Sequence, residues 1–287
     1  MEIIMKALNR YLKRLHARIK ENRVVFILYT LLRLMVLAAL IRGIVIHHYE
    51  SAVLCALTLA LFLIPSFLEG ALKIEIAPLL EGILYCFIFA AEILGELDHY
   101  YTTIPIWDTL LHTLNGFLFA AVGFVTIDLL NRNSKNVKLS PLYLVMVAFC
   151  FSMTIGVMWE FIECGADLFL KTDMQKDFIV QSFQSTKLDP AGTQQAFRAA
   201  DIVKTQIYTA SGEVLEISDG YLDIGILDTM KDLLVNFIGA VVFCVFGFIY
   251  LRAEDKGKKA KVSATIVDGL KIQPVRESLE EERGNQN

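Results

Sequence analysis

The chain has 287 residues, 55% of them hydrophobic, and a mean hydropathy of +0.51. Soluble domains run at about 45–50% apolar, so the excess has to be matched to lipid, and an ordinary water-soluble fold is excluded. The formal net charge of -4 says little, because the charges are segregated along the chain. It offers no case for a nucleic-acid partner.

Residues 1–23 form a basic prologue. Ile4, Leu8, Tyr11, Leu12, Leu15 and Ile19 recur at helical spacing among Lys6, Arg10, Lys13, Arg14, Arg18 and Lys20. This pattern predicts an amphipathic helix on an anionic membrane surface, with membrane lipids as its partner. Six apolar runs follow within residues 24–251, which predicts an all-α, polytopic helical bundle of about six transmembrane helices.

The first run, Val24 to Ile46, is too long for the h-region of a signal peptide and is read as a retained span. Arg33, near its centre, should face the bundle. The second span runs from about Ser51 to Phe67, and the third from about Ile76 to Leu94 with Glu81 and Glu92. The fourth begins at Trp107 and ends near Leu130. The fifth starts after Ser140-Pro141, where proline suits a first helical turn, and continues to about Leu170. The sixth runs from Asp228 to Leu251. Residues 252–287 read as a polar, disordered tail.

Lysine and arginine in the short flanks set the orientation. They crowd the N-terminal flank, the turns holding Lys73 and Arg132, Lys135 and Lys138, and the start of the tail. The turn at His47–Glu50 and the loop from Glu96 to Ile106 have none. With six spans, both termini are expected in the cytoplasm and residues 171–227 outside. In that insertion, Thr205 to Ile217 predicts a hairpin turning at Ser211-Gly212, and the Ala- and Gln-rich stretch from Asp189 to Val203 suggests a short helix.

Three polar insertions interrupt the apolar helices: Asp108 with His112; Glu160 and Glu163 with Asp167; and Asp228 and Asp232 with Asn236. Their spacings of three and four place each set along one helical stripe. Topology carries all three to one depth, in the outer half of the membrane. Gly116 and Gly239, just deeper, permit close helix packing. Capping alone accounts equally well for Asp108 and Asp228 at helix starts. It does not account for Asp232 or Asn236, nor for Glu160 and Glu163 near a helix end. Trp107 and Trp159 read as interfacial belt residues, and Asp128 as solvated.

Several carboxylates and one imidazole at one place must bind a cation, share protons, or face Arg42 or a cationic substrate. Oxygen-rich ligation with a single histidine suits Mg²⁺, Mn²⁺ or Zn²⁺, with Asp108, His112, Glu160, Asp228 and Asp232 as candidate ligands. No HExxH, phosphate-loop or GxSxG motif is present. The five cysteines lie in or at the ends of apolar runs without CxxC spacing and read as apolar filler.

The segments WDTLLHTLNGFLFA, GVMWEFIECGADLFLKTDMQ and LDTMKDLLVNFIGA resemble the YjdF-like family of bacterial inner-membrane proteins. More distantly, the order D-x-x-x-H, then Glu and Gln, then D-x-x-x-N-x-x-G resembles VanZ-like proteins, some of which affect sensitivity to cell-envelope antibiotics. The resemblance marks Asp108, His112, Glu160, Asp167, Gln175, Asp228, Asp232 and Asn236 as a polar signature; it supplies no reaction. Three readings stay open. One is an enzyme, a metal-dependent hydrolase or transferase acting on a lipid-linked or cell-envelope substrate, with Asp108, His112 and Glu160 as catalytic groups and Glu160 as general base. The second is a proton- or cation-coupled transporter. The third is a non-catalytic scaffold.

Overall fold

The computed structural model describes residues 23–72, 74–133, 138–257, 261–270 and 272–274. The basic amphipathic helix expected over residues 1–23 falls, but for its last residue, outside them.

Six helical stretches among the described residues are long and apolar enough to cross a membrane. The first is α1 (Arg23–Val45). The second is broken: α2 (Tyr49–Leu61) gives way to α3 (Ile64–Leu72), with Pro65 in the opening turn of α3, where a missing N–H costs nothing. The third, α4 (Pro78–Phe89), continues as a π-helical segment, Ala90–Leu97. After a single turn, α5 (Tyr100–Thr103), come the long helices α6 (Trp107–Asn133) and α7 (Pro141–Leu170). The sixth span is α8 (Ile226–Asp255). Ser140 starts α7 by accepting a hydrogen bond from the Tyr143 amide, and Pro141 follows at the first helical position.

Two apolar cores share the third span. Leu80 packs with Leu118, Phe124, Leu144 and Phe243 of the last three spans. Tyr85 and Phe89, one face round, pack with Leu32 and Val36 of α1 and with Cys55 and Phe62. Among the described residues, α6 and α8 approach most closely. A Cβ added at Gly116 would lie 2.0 Å from the Asn236 carbonyl oxygen, and one at Gly239 would lie 2.0 Å from that of Thr113. Only glycine permits this approach, which is the use read for both from the sequence.

The insertion after α7 is built from short antiparallel pairs. β2 (Ile179–Val180) pairs with β7 (Tyr221–Leu222), and β3 (Phe183–Ser185) with β4 (Phe197–Ala199). β5 (Lys204–Tyr208) pairs with β6 (Val214–Ser218), the hairpin expected around Ser211-Gly212. The helix expected from Asp189 to Val203 does not form. Asp189 closes a turn by accepting the amides of Ala191, Thr193 and Gln195, and the chain returns as β4 against β3.

The tail also departs from expectation. Its described residues carry α9 (Lys261–Gly269), which buries Val267, and Leu270 is buried just beyond it. Beyond that, β8 (Ile272–Pro274) pairs with β1 (Ile74–Ile76). Asp128, at the same end of the bundle, is buried rather than solvated. It accepts from Arg132 Nε at 2.7 Å, while the rest of that guanidinium forks onto both oxygens of Glu254 at 2.9 and 2.7 Å.

Candidate functional site

The polar residues meet at the other end of the bundle, where α6 and α8 begin and α7 ends. His112 is the centre. Its Nε2 lies 3.3 Å from Asp108 Oδ1, one turn back on α6, and 3.9 Å from Asp232 Oδ2 on α8. Its Nδ1, on the far edge of the ring, lies 3.9 Å from Glu160 Oε1 on α7. The ligating atoms of Asp108, His112 and Asp232 all fall within 4.8 Å of one another. Residues four apart on a helix share a face, and the faces carrying Asp108 and His112, Glu160, and Asp232 meet around the imidazole.

A cation already stands beside this group. The ammonium of Lys231 is 3.0 Å from Asp108 Oδ2, 3.1 Å from Asp228 Oδ1 and 3.5 Å from Asp232 Oδ1. Lys231 was not among the expected site residues. Its sequence neighbours are acidic, but a long side chain reaches wherever its head is best solvated, and composition does not say where.

Asp228 is separated from His112 by this ammonium. Its Oδ2 accepts the Lys176 amide at 2.8 Å, so it joins the insertion to α8. Nor does it cap the helix. That role belongs to Asp223, whose Oδ2 accepts the Leu227 amide at 2.9 Å and whose Oδ1 accepts the Phe178 amide at 2.7 Å. Asp223 escaped the sequence reading because its place depends on the left-handed turn at Gly225, where φ is +81°.

Asp167 turns away from the imidazole. Its carboxylate accepts the amides of Met174 and Gln175, at 2.6 and 2.9 Å, and the Thr172 hydroxyl at 2.8 Å. The Gln175 side chain donates to Thr229 Oγ1, which keeps it over the start of α8 despite the long insertion behind it. Residues 172–178 therefore form a clasp, tied down at Asp167, Thr229, Asp228 and Asp223. A cleft of about 350 Å³ opens between Gln175 and the turn from Asp223 to Ile226.

Glu163 accepts the Trp159 indole N–H at 2.8 Å, so Trp159 serves the site as well as standing near its boundary. Asn236 lies deeper and serves packing: its Oδ1 accepts from Asn115 at 2.9 Å, and its amide rests on Gly156. Two oxygens in the group are buried without a hydrogen bond, Glu160 Oε2 and Asp232 Oδ1, on residues 4% and 1% exposed.

Residues 27–253 match the family described as predicted membrane protein DUF2238, most of the chain and all of the site. The chain belongs to this family of membrane proteins. No curated protein and no solved structure matches it. As a DUF2238 protein it is a multi-pass membrane protein with a buried Asp–His–Asp group.

Proposed function

We propose that this DUF2238 protein is a membrane-embedded, metal-assisted hydrolase or transferase, acting on a lipid-linked or cell-envelope substrate at the outer leaflet. The observation that carries it is the convergence of Asp108, His112 and Asp232 from two helices onto one point. Ligands on opposite sides of an ion bound at about 2.1 Å stand roughly 4.2 Å apart, so a divalent cation fits with a shift of a few tenths of an ångström.

In this reading Glu160 has a different part from the general base expected of it. It sits behind the imidazole, on Nδ1, while Nε2 faces Asp108 and Asp232. At 3.9 Å it makes an ion-pair contact and no hydrogen bond; closing to hydrogen-bond distance on metal binding would fix the tautomer and ring orientation of the ligating histidine. A bound divalent cation would supply Lewis acidity and an acidified water. The clasp of residues 172–178 shields the group from one side. The outer-leaflet placement rests on the lysine and arginine bias of the flanks. The likeness of the D-x-x-x-H and D-x-x-x-N-x-x-G series to VanZ-like proteins supports an envelope substrate.

The test is metal content. Protein purified in detergent carries Mn²⁺, Zn²⁺ or Mg²⁺ above the level in His112→Ala and Asp232→Asn, all three accumulating equally in membranes. Glu160→Gln retains metal but binds it about 10-fold more weakly or worse. A wild-type protein no richer in metal than His112→Ala removes the reading.

A further inference from the structure

We propose that the Lys231 ammonium occupies a second cation seat, so that the chain itself supplies the charge a two-metal centre would take from its second ion. The proposal rests on reading Asp108, His112 and Asp232 as the first seat.

The carboxylates carry the argument. Asp108 turns Oδ1 to His112 Nε2 and Oδ2 to Lys231 Nζ. Asp232 turns Oδ2 to His112 Nε2 and Oδ1 to Lys231 Nζ. Each therefore bridges two adjacent positions, one beside the imidazole and one at the ammonium. This is the arrangement that carboxylates adopt between paired metal ions about 3.5–4 Å apart. Asp228 completes the second seat as a terminal ligand, with Oδ1 on the ammonium and Oδ2 fixed by the Lys176 amide.

A second observation points the same way. Asp232 Oδ1, on a residue 1% exposed, aims into this seat yet makes no hydrogen bond; it stands 3.5 Å from Nζ. The ammonium satisfies Asp108 and Asp228 at hydrogen-bond distance and leaves the third oxygen short. A spherical ion with several oxygen ligands would serve all three, so the seat has the shape of an ion site filled by a side chain. The Phe178 ring of the insertion stands 5.9 Å from Nζ.

Lys231 is then a positioning residue. It pulls one oxygen of each bridging carboxylate, which orients the other toward His112, and it holds the centre to a single exchangeable ion. The experiment counts Mn²⁺ bound per chain, by metal analysis and by electron paramagnetic resonance, in wild type, Lys231→Ala and Lys231→Arg purified in detergent. We expect one ion in wild type, two in Lys231→Ala with the spin-coupled signal of neighbouring Mn²⁺, and one in Lys231→Arg. One ion in a folded Lys231→Ala overturns the inference and leaves the first seat standing. None in wild type with one in Lys231→Ala removes the first-seat reading and with it the two-seat centre, leaving a single ion position under the ammonium. Where Lys231→Ala does not accumulate, Lys231→Asn is read the same way. Failure of both to accumulate in Mn²⁺-supplemented cells also overturns it, because a vacated ion seat would refill.

Discussion

A carboxylate near the end of a helix opposes the helix dipole, and Asp167 is reconciled to its position by the loop that follows. Three hydrogen bonds from residues 172–175 converge on it. Asp167→Ala should loosen the clasp at a cost of about 1.5–3 kcal/mol, the worth of hydrogen bonds to a charged group. Limited proteolysis within residues 171–178 would speed up while the spans stay intact; an unchanged cleavage rate would contradict the clasp. Trp159→Phe makes a companion case. It leaves Glu163 buried without its donor and should lower the thermal midpoint in detergent by the equivalent of about 1–3 kcal/mol. At this scale the sequence was legible where a fixed spacing does the work, as for Asp108 with His112. It was illegible where a side chain's reach or a turn's backbone decides, as for Lys231, Asp223 and the Trp159 indole.

Among the elements, the ends of the spans were read to within a few residues because long apolar runs leave little choice. The insertion was harder. Ala and Gln favour helix, yet Asp189 to Val203 opens with Asp189-Pro190 and a glycine at φ +66°, and tertiary pairing of β3 with β4 overrides propensity. The Asp189 turn has its own pH signature. The Thr193 hydroxyl first, and then the amides of Ala191, Thr193 and Gln195, hold this carboxyl below its usual range. Its contribution is present above the ordinary aspartate range and is lost as pH falls through the lowered value. Hydrogen exchange at residues 189–195 should stay slow at mildly acidic pH and rise only below that range; a rise near neutrality would contradict it.

At the opposite end of the bundle, Arg132 joins α6 to α8, but its two partners differ. Asp128 is buried and Glu254 is half exposed. Arg132→Ala strands a buried carboxylate and should cost about 1–3 kcal/mol. Glu254→Ala removes a largely solvated pair worth under about 1 kcal/mol. Thermal unfolding of the two variants in detergent orders them; equal losses would show that Asp128 does not depend on the arginine. The pair hides from sequence because Arg132 and Glu254 are distant in the chain, and only α6–α8 packing brings them together.

For the molecule as a whole, the bundle was legible from hydropathy, whereas the division into two cores was not, since lipid-facing and core-facing leucines look alike in a membrane sequence. The orientation remains a prediction from the charged flanks. A single cysteine placed at Ser211 of the insertion should react with a membrane-impermeant maleimide in intact cells, and one placed at Asp255 only after permeabilisation. The reverse pattern would move the site to the cytoplasmic leaflet.

The paired glycines bear on motion. Backbones that meet at Gly116 and Gly239 leave no side-chain layer to slide or compress, so the two helices that hold the imidazole and its aspartates behave as one beam. Any rearrangement that slid α6 along α8 would have to break these backbone contacts. The imidazole and its aspartates are thus carried by a pair of helices whose backbones touch, and a change of their mutual geometry would have to begin at Gly116 and Gly239.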